Sequence, residues 1–299
     1  MNTTAPEVVY VLQSYLNSAI TVTVTIIPSL LPNGFILFVG VKSNVIKDKF
    51  KDSIITMTSL NIFTAITVLT FNAFYFIYNF TRTPVNFYVC SAFRRFTAYA
   101  YSPMFYGCII VAADRFYGVV LSKPFNRMKI FILNVILSAF PFALFINQIS
   151  STNWRYQDIC GPTLSGHFTW MLDVNTALFM AYPLVAFVLN GYILYYIYHN
   201  AKGVVVAGRK LNTTEEKRER HVLYGMLIQS FLPALCHIPM MVCVMLLYKG
   251  LSPPGSLLII ANIVTHANLT LNPIFTVLFV KQFREATRKL ISSSKVVTF

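Results

Sequence analysis

The chain has 299 residues, 56% hydrophobic, 15% aromatic and only 11% charged, with a mean hydropathy of +0.61. Soluble domains carry about 25% charged residues, so this composition excludes a water-soluble fold, and the modest Gly, Pro and Cys content excludes a collagenous, disordered or disulfide-framework chain. What remains is an integral membrane protein, whose net charge of +14 points either to nucleic acid or to insertion topology.

A helix needs about 20 apolar residues to cross the roughly 30 Å hydrocarbon layer. Seven stretches qualify, at 17–41, 54–78, 92–121, 129–149, 171–198, 221–248 and 255–280. The first follows a segment, 1–16, with no Lys or Arg, so it is expected to act as an uncleaved signal anchor. That leaves a short external segment rather than a ligand-binding domain. The third is bounded by Arg94 and Arg95 at one end and by Asp114 and Arg115 at the other, with Phe96 to Ala113 free of charge between them. The alternating ten-residue segments of a membrane β-barrel are absent. The expected fold is an all-α membrane protein: a seven-helix bundle over 17–280, followed by a tail over 281–299.

The charges then orient the helices. Segments 42–53, 114–129, 199–221 and 281–299 hold 19 Lys and Arg, whereas the N-terminus, 79–95, 150–173 and 249–254 hold 5. With acidic residues included, the two sides carry +12 and +2. The asymmetry places the N-terminus outside and the C-terminus in the cytoplasm. Basic residues scattered over every cytoplasmic loop serve topology, and nucleic acid drops out as a partner; membrane lipids take its place. Asn2-Thr3-Thr4 is then an external glycosylation sequon, and Asn79-Phe80-Thr81 is a second one close to the membrane.

An ionised side chain at membrane depth costs from ~2.5 to above 10 kcal/mol, so such residues are functional candidates. Asp114-Arg115-Phe116, at the cytoplasmic end of the third helix, stands out. Cys90 precedes Arg115 by 25 residues, or about 37 Å of helix, and so marks the outer end of the same helix. Cys160 falls in the next outer loop, and the oxidising exterior favours a Cys90–Cys160 bridge. Cys108, Cys236 and Cys243 fall within helices.

At these spacings the chain resembles the rhodopsin-like G-protein-coupled receptors over nearly its whole length. Asp114-Arg115-Phe116 is similar to the family's Asp-Arg-Tyr signature, and the Cys90-to-Arg115 interval matches the family's own. Cys236-His237-Ile238-Pro239 resembles Cys-Trp-x-Pro of helix six, with His in the Trp position. Asn272-Pro273-Ile274-Phe275-Thr276 resembles Asn-Pro-x-x-Tyr of helix seven, with Thr for Tyr. Asn33 matches the helix-one asparagine, Pro183 the helix-five proline, and Asn61 stands where helix two usually holds Asp. Glu219 lies twenty residues before Pro239, where many members keep an acid that pairs with the Arg of helix three. Asn61 argues against the family's sodium site, and the helix-four Trp is missing. These departures, with many aromatics and a short N-terminus, are most similar to the divergent chemoreceptor groups of nematodes.

The resemblance implies a cell-membrane chemoreceptor that binds a small extracellular ligand within the bundle and activates a heterotrimeric G protein, with Phe283-Arg284-Glu285 opening a short amphipathic eighth helix within the tail over 281–299. Asp114, Arg115, Phe116, Glu219, Asn272, Pro273 and Thr276 would form the activation switch, Cys236, His237 and Pro239 the helix-six hinge, and Asn33, Asn61 and Asn272 a polar core. Thr97, Tyr101, Asn175, His237, Met240, Met241, Asn262 and His266 are the candidate ligand-pocket residues. Thr97 replaces the Asp of amine receptors and His266 the retinal-binding Lys of opsins, which disfavours an amine and excludes a light receptor. No catalytic constellation, metal-ligand spacing or phosphate loop occurs, so no enzyme, cofactor or metal is expected. The residues alone leave a rival open, a multi-pass transporter or channel subunit.

Overall fold

The structure, a computed structural model, describes residues 8–42, 51–123, 125–150, 154–157, 161–164, 169–206, 232–233, 235–246, 251, 253–279 and 281–294. Its helices are α1 (Leu16–Lys42), α2 (Lys51–Thr81), α3 (Phe87–Ala100), α4 (Ser102–Val119), α5 (Arg127–Ser150), α6 (Thr169–Val206), α7 (Leu235–Leu246), α8 (Gly255–Phe279) and α9 (Lys281–Ser294). Among the described residues, six spans are long and apolar enough to cross a membrane, with α3 and α4 counted as one span and α7 shorter than the rest. The chain is a multi-pass, all-α membrane protein. Its described β structure is two small antiparallel pairs: β1 (Val8–Val9) with β2 (Val85–Asn86), and β3 (Trp154–Gln157) with β4 (Gly161–Leu164).

The helices overrun the apolar runs that announce them, because backbone hydrogen bonding continues past the hydrocarbon layer into the interface. The apolar stretch expected at 92–121 begins instead at Phe87, where the Asn86 side chain accepts from the Tyr88 and Val89 amides at 3.0 and 3.2 Å and caps the first turn. It is also broken at Tyr101. Pro103 has no amide hydrogen and its ring crowds the carbonyl four residues back, so one predicted helix becomes two.

Burial identifies the centre and the periphery. Over its apolar window the α3–α4 span is 72% buried and α5 only 17%. The central α4 packs against α2, α5 and α6, α1 lies against α2 and α8, and α9 folds back on α8 and α1. One continuous core draws side chains from α1 (Ile26), α2 (Val68), α4 (Ile110), α5 (Ile130), α6 (Ala186), α7 (Met241) and α8 (Leu269). The outward faces carry exposed Leu31, Phe131, Ile136, Val188 and Tyr195, an apolar surface suited to lipid rather than water. At Gly40 the Ile55 side chain of α2 presses on the α1 backbone: a Cβ there would stand 2.9 Å from its Cγ1.

Proline inside a membrane helix frees the carbonyl four residues earlier, and without water another group must satisfy it. In α5, Pro141 leaves the Leu137 carbonyl without its helical donor, and the Tyr182 hydroxyl of α6 donates to it at 3.0 Å. That clasp ties the most peripheral helix to its neighbour.

Candidate functional site

Near the Cys90 end of the bundle, the residues predicted to line a ligand pocket fall into two contacts. The His266 Nδ1 lies 2.7 Å from the Asn262 carbonyl, which can only accept, so Nδ1 carries the proton. Nε2 of the neutral ring is then the acceptor, and the Tyr101 hydroxyl donates to it at 3.0 Å. Tyr101 sits at the break between α3 and α4, so the pair joins that break to α8. The second contact is an aromatic stack. Phe105 lies face to face with Phe179 at 4.2 Å, and the centre of the His237 ring lies 4.1 Å from that of Phe105 at a tilt of 34°. His237 is buried, and the Met104 backbone approaches its ring without the geometry of a full hydrogen bond.

The remaining pocket candidates are spread around these two. Thr97 is buried but turns its hydroxyl back to the Phe93 carbonyl of its own helix at 2.9 Å. Asn262 is buried and engaged by His266, Met241 belongs to the main core, and Met240 is half-buried. Asn175, on α6, holds its Oδ1 out of solvent without a hydrogen-bond partner among the described residues. Cys236 and Pro239 sit on α7, where the Thr265 hydroxyl donates to the Cys236 carbonyl at 3.0 Å and clamps α7 to α8 beside the proline.

Deeper in the bundle, Asn33, Asn61 and Asn272 are all buried. Pro273 frees the Leu269 carbonyl of α8, and Asn33 Nδ2 of α1 donates to it at 2.8 Å as well as to the Ser29 carbonyl at 2.8 Å. Asn61 Nδ2 reaches Asn33 Oδ1 at 3.4 Å, a long bond that adds α2 to the group. Asn272 Nδ2 points to the Met57 sulfur at 3.8 Å, and Thr276 donates to the Asn272 carbonyl at 3.0 Å. The polar core thus forms around a proline, in the same way as the Tyr182 clasp.

At the opposite end of α4 from Cys90, Asp114 and Arg115 are both buried. Phe116 meets Tyr192 of α6 with ring centres 5.9 Å apart. Arg115 and Asn272, from two different predicted motifs, line one cavity no larger than a water molecule, together with Met57, Cys108 and Asn190. Three expected positions, Asn2, Cys160 and Glu219, lie outside the described residues. Cys90 is disulfide-bonded, whereas Cys108, Cys236 and Cys243 are free. Asn79 is buried, which disfavours glycosylation at the second sequon.

Sequence reasoning missed Tyr182, Thr265 and the Pro103 break. Pro141 and Pro103 were the available signals for the first and the last, since Pro141 marks the Leu137 carbonyl as in need of a donor and Pro103 marks the break. Comparison with models of known protein families finds no match to the chain, and no curated protein matches it.

Proposed function

We propose that the chain is a rhodopsin-like receptor of the chemoreceptor kind, with seven spans, the N-terminus outside and the basic loops in the cytoplasm. The observation that carries this reading is a polar track through one bundle. It runs from Tyr101–His266, through Asn33, Asn61 and Asn272, to buried Asp114 and Arg115. Support for a seventh crossing is topological. Phe179 and Tyr192 of α6 meet Phe105 and Phe116 of α4, so α6 runs with α4 toward the Arg115 end. His266 meets Tyr101 and Asn272 shares the cavity with Arg115, so α8 runs the same way. A return crossing between them, with the short apolar α7 on its path, is part of this reading.

In this reading a small, largely uncharged ligand enters among Tyr101, His237, His266 and their neighbours. Its binding favours a packing in which α7 moves away from α4 at the Arg115 end and opens a cleft for the G protein. Without ligand, Arg115 and Glu219 hold that end closed. The chain takes no cofactor and no metal in this scheme.

The test is expression in a reporter cell with a promiscuous G protein, screened against a broad chemical panel. A ligand-dependent G-protein response is expected, and Glu219→Ala is expected to raise the ligand-independent signal at equal surface expression. Ligand-dependent flux with no G-protein signal would replace the receptor by a transporter.

A further inference from the structure

A groove opens where the last turn of α1 meets the first turns of α2 and α5, and it encloses about 470 Å³. Its walls are mainly apolar, formed by Val41, Ile55, Ile130 and Phe131, with Thr56 and Asn134 among them. Val41 and Phe131 stand 69% and 63% exposed on its rim, so the groove opens toward the surface that faces lipid. Its mouth is charged. Asp52 accepts from Arg127 Nε and Nη2 at 3.0 and 3.2 Å, and Lys51 lines the same opening.

The ion pair orients Arg127 without consuming it. Two of the five guanidinium N–H groups go to Asp52, while the side chain stays 84% exposed. The remaining donors face outward from a fork whose plane is fixed, the arrangement that suits a phosphate. Arg127 opens α5, so the positive end of that helix points to the same place.

We infer that this groove seats an anionic phospholipid, with its phosphate on Arg127 and Lys51 and an acyl chain along Ile55, Ile130 and Phe131. A free phosphate would use the mouth and leave the apolar walls bare, whereas a lipid covers both; basic pockets between membrane helices are known sites for such headgroups. This site is separate from the proposed ligand pocket and does not depend on the receptor reading.

The experiment uses the full chain in detergent, titrated with phosphatidylserine, phosphatidylcholine or inorganic phosphate and read by native mass spectrometry. Phosphatidylserine is expected to be retained in preference to phosphatidylcholine. Lys51→Ala with Arg127→Ala is expected to weaken phosphatidylserine retention roughly 30-fold, from about 1 kcal/mol for each cation near the surface. Lys289→Ala, on α9, is expected to leave it unchanged. Equal retention of the two lipids would overturn the inference, as would an equal loss in the Lys289 variant, which signals general surface charge. Competition by inorganic phosphate at the lipid's own concentration would reduce the site to a phosphate site. Should the double variant not fold, the comparison of the two lipids on the unaltered chain decides the matter alone.

Discussion

Tyr182→Phe isolates one hydrogen bond. The substitution keeps the ring, and with it the edge contact to Tyr106 at 6.1 Å, while removing the hydroxyl that donates to Leu137. Pro141 cannot supply the missing N–H, so the carbonyl is left bare in a water-free setting. Losing such a bond costs about 1–3 kcal/mol, but cycles in membrane proteins average ~0.6 and reach ~1.7. A 3.0 Å bond to a carbonyl with no helical donor belongs near the top of that range, at about 1.5 kcal/mol, or roughly a tenfold loss in the folded-to-unfolded ratio. Reversible unfolding in mixed micelles measures it. The decisive comparison is the same change in a Pro141→Ala chain, where residue 141 regains its N–H and satisfies Leu137. There Tyr182→Phe is expected to cost under about 0.5 kcal/mol. An equal cost in both backgrounds would show that the hydroxyl does not serve the proline's carbonyl.

Asn33→Leu is expected to cost about 1–3 kcal/mol, because Leu269 loses its donor, and Pro273→Ala should recover most of that loss in the same unfolding assay. Gly40→Ala is expected to destabilise by about 1–3 kcal/mol through the 2.9 Å approach to Ile55, and Ile55→Ala in the same chain should relieve the clash; an unchanged double variant would exclude it as the cause. Cys90→Ser should lower stability by roughly 2–4 kcal/mol, and a reducing agent should then have no further effect on the variant. Tyr101→Phe leaves His266 Nε2 without its donor and is expected to shift agonist potency about tenfold at unchanged surface expression, as read in the reporter cell.

Most of the helical plan was legible in hydropathy because a helix in lipid has to be apolar for the length of the crossing. The stretches at 17–41, 129–149 and 255–280 reappear as α1, α5 and α8 within a few residues. Hydropathy says nothing about where hydrogen bonding stops in the interface, so α6 runs on to Val206, well past the expected 198. It is also blind to a proline in an apolar run, which is why the α3–α4 break was not expected. The motif residues were legible one by one, and the structure brings Asn33 to Asn61 and Arg115 to Asn272 across helices. Their partners were not. Leu137, Leu269 and Cys236 take part through backbone carbonyls, and a side chain's identity carries no mark of what its backbone needs.

The two proline clasps also constrain the order in which the chain can be assembled. When α5 enters the bilayer, its Leu137 carbonyl is bare, and the group that satisfies it arrives only with the next span. The α5–α6 hairpin is therefore the smallest piece of that region at ease in lipid, and a ribosome paused between the two leaves a helix with an unmet demand. For α8 the sequence is reversed. Asn33 of α1 is translated well before α8, so α8 inserts against a donor already waiting for Leu269. One residue thus sets the reception of another translated 236 positions after it.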